Sequence, residues 1–419
     1  MSTAGLPSLN SERVDVAVIG AGAAGLLAAA FAAGEGRRVV LLERTRDGGR
    51  KILISGGGRC NILPSEVEAE WFVTDSSPHS LRNILRGWPL QAQRRFFEEE
   101  LGLPLALEAE SGKLFPASNR ARDVRDRLVA YARERGAEVR FNSLLTDLAP
   151  AGDGWRVEVD GSGSLLSRTV VIATGGLSVP TTGSDGAGLR LVERLGHRLN
   201  PTYPALTPLT TGVKRWTDLS GVSLEALLTA PPETPRYNRQ QGLLFTHRGF
   251  SGPAVLNMSH VFTRPRAGAP PAILAQWGNL ARGDWEREFD AGGRTHLATV
   301  VRRHLPERLA LALLAEAGVP SDRPLAQLRR EEREAVLTAL TALPLPVSGS
   351  EGYRKAEVTG GGVALSEIDP TTMESRRTPG LFLCGEILDA FGPIGGYNFL
   401  WAWATGRAAG LGVRRRLTS

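Results

Sequence analysis

Apolar and polar positions alternate in two distinct textures along this chain. Residues 14–19 form a short β-branched run that predicts a buried strand, and glycines at 20, 22 and 25 follow it. An alanine-rich stretch to about residue 33 predicts a helix, and residues 38–43 a second apolar strand. The result is a β-α-β unit. After a glycine-dense loop over 47–61 come two helical stretches parted near Pro89, the second carrying Phe96, Phe97 and Leu101. Residues 110–113 read as a hairpin turn, 121–135 as a helix stopped by Gly136, and 138–142, 155–159 and 169–173 as strands.

From about residue 201 to 346 the texture changes to proline-rich joints, short alternating segments such as 242–246, and helices over 306–314 and 331–343. After Ser350 the first texture returns, with strands near 355–358 and 381–384 and a helix over 398–410. The expected organisation is an α/β fold with a discontinuous Rossmann-type domain, 1–196 and 353–419. Its insertion has a β-rich, barrel-like part (197–255 with 340–352) and a mixed, helical part (256–339).

Gly20-Ala21-Gly22-Ala23-Ala24-Gly25 is G-x-G-x-x-G set between a strand and a helix, and Glu43 closes the next strand. Gly20 permits the tight turn, Gly22 lets backbone approach a pyrophosphate, and Gly25 lets helix pack on strand. Amides at the helix start then meet the negative charge, and Glu43 accepts a ribose hydroxyl. An acid in that place argues against a 2′-phosphate. No second such fingerprint follows a strand, which speaks against a reductase with two dinucleotide domains.

Composition narrows the chemistry. The 50 basic residues against 44 acidic ones leave +6 and a pI near 9.7, and only Lys51, Lys113, Lys214 and Lys355 are lysines. Because the arginines are spread out and interleaved with glutamate, they read as solvated helix faces, and no nucleic-acid partner is expected. Cys60 and Cys384 form no Cys-x-x-Cys pair, so no zinc site or redox dithiol is built locally, and a reducing cytoplasm is expected. Residues 16–34 carry no charge, yet their glycines stand where a strand turns into a helix, so no membrane span is expected. There is no G-x-S-x-G elbow, H-E-x-x-H or G-x-x-x-x-G-K-[ST] loop, and no metal site is expected.

FAD is distinguished from NAD at this turn by the late return of the chain. Thr174-Gly175-Gly176 after a buried strand, and 380–386 before a terminal glycine loop and helix, supply the distant contacts that a long dinucleotide needs. Residues 49–61 (GRKILISGGGRCN), 245–254 (FTHRGFSGPA), 343–347 (LPLPV), 356–363 (AEVTGGGV) and 395–404 (GGYNFLWAWA) carry a resemblance over nearly the whole chain. They resemble a bacterial family of three-domain FAD oxidoreductases that includes aminoacetone-oxidase-like enzymes and flavoproteins of bile-acid dehydroxylation operons. Tyr397 departs from the phenylalanine frequent in that family.

The resemblance implies FAD held by four segments. The first is the fingerprint with Gly20, Gly22, Ala23, Ala24, Gly25, Glu43 and Arg44; the second is the glycine loop with Arg50, Lys51, Ser55, Gly57, Gly58, Arg59, Cys60 and Asn61. The third is Ala173, Thr174 and Gly175; the last comprises Gly385, Glu386, Gly396, Asn398, Phe399 and Leu400. The helix entered at Asn398 faces the negative charge of reduced flavin. His247, Tyr397 and Lys51 are the candidates for proton transfer, beside structural roles for each; Cys60 reads equally as a buried thiol.

The function expected is transfer of a hydride between a small organic substrate or NAD(P)H and flavin, then to oxygen or an organic acceptor. The single fingerprint leans towards direct substrate oxidation. An FAD-dependent RNA-modifying enzyme and a non-catalytic FAD-binding protein are the alternatives.

Overall fold

The structure is a computed structural model that describes residues 12–161, 163–291 and 293–418. Its described residues fall into two compact units, one within Met1–Thr202 and Val358–Ser419, the other Tyr203–Glu357.

The first unit is built on parallel strands. β1 (Glu12–Ile19) pairs with β2 (Val39–Leu42) on one side, Val16 facing Val39, and with strand Gly163–Ile172 on the other, Val16 facing Thr169. Ala137–Arg140 lies outside β2, and Leu381–Leu383 outside the far end of Gly163–Ile172. Strands covered on both faces read as unbroken apolar runs, which is why residues 16–19, 39–42 and 170–172 are all buried. A hairpin, Leu145–Ala151 and Gly154–Val159, extends the sheet against the first half of Gly163–Ile172.

Helix α1 (Ala23–Ala32) covers this sheet, and helix Tyr397–Thr418 covers α1. The terminal helix runs past the expected stop at Gly410. That glycine is a packing residue: a Cβ on Gly410 would lie 2.6 Å from the Ala28 oxygen, and one on Gly406 2.3 Å from the Ala24 oxygen. Two further differences are local. Helix α2 (Arg50–Ile54) forms inside the expected glycine loop, and the strand expected near 355–358 begins at Val358 and takes in the triple glycine.

The second unit holds a curled antiparallel sheet ordered 343–344, 274–277, 223–229, 241–246, 249–251, 209–210, 349–350. Trp216, Phe245 and Trp277 stack within it at 5.7 to 6.3 Å. Helices Glu307–Glu316 and Arg330–Thr341 share its core through Leu309, Leu313, Val336 and Leu340, and the Trp277 indole donates to the Ala339 oxygen at 3.0 Å.

Candidate functional site

All five parallel strands end at one edge, and the residues that follow them assemble there. Gly20 donates its amide to the Leu42 oxygen, Glu43 to the Arg140 oxygen, Ala173 to the Ile19 oxygen and Cys384 to the Ile172 oxygen. Gly20, Glu43 and Ala173, with Cys384 just ahead of the candidate Gly385, thus sit side by side where open α/β sheets bind ligands.

The three fingerprint glycines are glycine for three different reasons. Gly20 has φ +102°, and a Cβ there would lie 2.7 Å from the Ala173 oxygen. Gly25 has an ordinary helical backbone, but its Cβ would stand 1.8 Å from the Gly20 oxygen. Gly22 has neither reason: its φ is −81°, and a Cβ would meet no protein atom within 4 Å. That open space lies at the start of α1, whose first amides receive no side-chain cap. Uncapped amides and a cradle that one methyl group would fill fit a pyrophosphate.

Glu43, buried at 8% exposure, faces this turn. One carboxylate oxygen accepts the Ala21 amide at 2.8 Å and the other the Thr45 amide at 2.8 Å. Each oxygen keeps lone-pair capacity for a ribose hydroxyl. Beside it Arg44 pairs with Asp185 at 2.6 Å.

The glycine loop is tied to the C-terminal segment by a polar cluster. Lys51 Nζ donates to Ser178 Oγ at 2.6 Å and to Glu386 Oε2 at 2.5 Å. Glu386 Oε1 accepts Ser178 Oγ at 2.5 Å, the Thr359 amide at 3.0 Å and the Thr359 hydroxyl at 2.9 Å. Ser178 and Thr359 were absent from the sequence-based candidates. Lys51, read there as a proton-transfer candidate, is here neutralised by Glu386.

Other candidates of the loop have partners within the protein. Arg50 pairs with Asp47 at 3.0 Å, and Arg59 pairs with Glu108 at 2.9 Å and lies 4.0 Å over the Phe115 ring. Gly57 and Gly58, by contrast, are exposed with open space above them. The Cys60 thiol is fully buried and burial pushes it up to about 12, so it is a protonated packing group. Ser55 Oγ bonds the Ile52 oxygen at 2.8 Å, and Asn61 is half-buried against Gly56.

The loop before the terminal helix is clamped from within. Asn398 accepts the Gly392 amide at 2.9 Å and donates to the Gly392 oxygen at 3.0 Å. Phe399 stacks on Trp403 at 5.4 Å, Leu400 is buried, and Tyr397 is packed edge-on against Trp71 and Phe72. These side chains hold the turn, whereas Gly396 shapes it. Ala24 packs against Gly385, whose amide donates to Thr405 Oγ1 at 3.0 Å, and Thr174 and Gly175 pack on Gly188 and Ser184. His247 is exposed at the hairpin turn between Gln241–Thr246 and Gly249–Ser251, in the second unit. Among the described residues no cluster of three or more His, Cys, Asp or Glu is placed to hold a metal, and no helix is long and apolar enough to cross a membrane.

The family described as HI0933-like protein Rossmann domain matches residues 14–412. This chain belongs to that family. It is an oxidoreductase with a Rossmann-type fold, and the family and its neighbours support FAD as the cofactor. It is 35% identical over 402 residues to a ribosomal RNA dihydrouridine synthase of Escherichia coli, covering 94% of this chain and 96% of that one. A ribosomal RNA dihydrouridine synthase of Haemophilus influenzae is 33% identical, over 95% and 98% of the two chains. A 3-dehydro-bile acid delta(4,6)-reductase of Clostridium scindens is 29% identical, over 96% and 99%. Among solved structures, the 3-ketosteroid delta1-dehydrogenase of Sterolibacterium denitrificans shares the fold with a TM-score of 0.51 at 13% identity, covering 97% and 100%. Two of these relatives are named for ribosomal RNA, which reopens the nucleic-acid partner that the interleaved arginines had spoken against.

Proposed function

We propose that this chain reduces the 5,6 double bond of a uridine in ribosomal RNA to give dihydrouridine. The observation that carries the reading is identity of 35% and 33%, spread over nearly whole chains, to two proteins named for that reaction. The third relative's name describes double bonds conjugated to a 3-oxo group. All three names therefore describe saturation of a carbon–carbon bond in conjugation with a carbonyl, against the lean towards substrate oxidation. Saturation of uracil takes a hydride at C6 and a proton at C5, and the two electrons come from a reduced nicotinamide nucleotide.

Bound FAD supplies the ring that takes a hydride from one partner and passes it to the other. The chain's part is to hold and orient. Uncapped amides of α1 and the space at Gly22 would receive the pyrophosphate, and Glu43 would receive the ribose. Gly57 and Gly58 leave backbone exposed on the glycine loop. The N-terminus of Tyr397–Thr418, behind Gly395-Gly396, would favour negative charge on a reduced ring held there.

The test uses the FAD-loaded protein, NADH or NADPH, and ribosomal RNA from a strain lacking the enzyme. Digestion and mass spectrometry should show one uridine heavier by two hydrogen atoms, and none when the nucleotide is left out. Unchanged RNA together with turnover of an unsaturated 3-oxosteroid would favour a small-molecule reductase of the kind named in the third relative.

A further inference from the structure

We propose that Lys113 supplies the fixed positive charge that sets the electron affinity of the bound flavin. This rests on the reading above, in which the turn at Gly395-Gly396 receives the electron-rich edge of the ring.

The placement comes from a small three-stranded sheet. Lys113 opens strand Lys113–Pro116, which pairs with Leu63–Pro64 on one side and Leu105–Glu108 on the other. The double-glycine turn is seated on that sheet: a Cβ on Gly396 would lie 2.6 Å from the Leu63 carbonyl carbon. Lys113 lies along the neighbouring residue, its Cγ and Cε 3.7 and 3.5 Å from the position of a Cβ on Gly395. Its ammonium is one bond beyond Cε, so it is held beside the entrance to a 22-residue helix.

What sets Lys113 apart is that no carboxylate pairs with it at close range; Glu108, its cross-strand neighbour, acts on it only through space. The other basic candidates of this unit are neutralised: Arg44 by Asp185, Arg50 by Asp47, Lys51 by Glu386 and Arg59 by Glu108. Glu108, across the hairpin from Lys113, is engaged by Arg59 and by the Ser111 hydroxyl. Among the described residues the Lys113 ammonium has no hydrogen bond or close ion pair, though its charge helps hold the Glu108 carboxyl below the usual range. A half-buried cation with no close ion pair acts on a nearby developing charge with less screening than one already matched at contact distance. Two-electron reduction places negative charge at N1 and the adjacent carbonyl of the flavin, so a cation there binds the reduced cofactor more tightly than the oxidised one.

The experiment is a spectroelectrochemical titration of the FAD-loaded protein and of its Lys113→Met, Lys113→Gln and Lys113→Arg variants, with FAD affinity measured alongside. Lys113→Met and Lys113→Gln should each weaken binding of reduced relative to oxidised FAD by tenfold or more. For a two-electron couple that lowers the midpoint potential by about 30 mV. Lys113→Arg should keep the original potential, which a merely structural role would not require. Normal FAD loading with an unchanged potential in both neutral variants would overturn the proposal alone, whereas failure of the parent protein to load FAD would overturn the reading beneath it.

Discussion

Gly25→Ala is expected to destabilise the first unit by about 3 kcal/mol and to abolish FAD binding, while the same change at Gly22 leaves the fold almost intact. A methyl group at Gly25 would stand 1.8 Å from the Gly20 oxygen and 3.2 Å from Ala173 Cβ, so α1 or the turn must move. Neither has room: α1 is fixed from the other side by Gly406 and Gly410, whose own approaches are as close as backbone permits. At Gly22 the methyl meets no protein atom and occupies the pyrophosphate cradle instead. Chemical denaturation and FAD titration separate the two. Gly22→Ala should bind FAD at least tenfold more weakly, about 1.4 kcal/mol, with a near-normal unfolding midpoint. Equal effects of the two substitutions on stability would refute this division of roles.

Glu43→Ala is expected to weaken FAD binding by roughly 10- to 100-fold, the worth of about 1.5–3 kcal/mol usual for a hydrogen bond to a charged group. Two costs combine. The ribose loses its acceptor, and the amides of Ala21 and Thr45 lose the carboxylate that now holds them at 2.8 Å. Glu43→Gln keeps one acceptor oxygen and should recover part of the affinity. Calorimetric titration of the apoprotein with FAD measures both, and an affinity unchanged in Glu43→Ala would remove the residue from the cofactor site.

These residues were legible in the sequence because their signals are local. A β-branched run, three spaced glycines and an acid at the end of the next strand lie within some thirty positions, and each follows from backbone geometry that few other residues permit. The strand over 169–173 and its partner near 381–384 were also legible, since parallel strands buried on both faces are uninterrupted apolar runs. The partners of Glu386 were not. Ser178 and Lys51 lie 208 and 335 residues away from it, and a hydroxyl or an ammonium carries no mark of the carboxylate it will meet. Gly410 was misread for a related reason: near the end of a helical stretch a glycine reads as a stop, and only the facing helix shows that it serves close packing. Lys113 lay in a hairpin read only for its turn. That no carboxylate pairs with it at close range emerges once Arg59 and Ser111 are seen to engage Glu108.

The central claim is that this edge of the sheet holds FAD and uses it for redox chemistry, and the most direct measurement is the anaerobic visible spectrum of the purified, FAD-reconstituted protein. The account predicts a yellow protein whose flavin absorption bleaches when NADH or NADPH is added and returns when unmodified ribosomal RNA follows. A protein that stays colourless after incubation with FAD would contradict it.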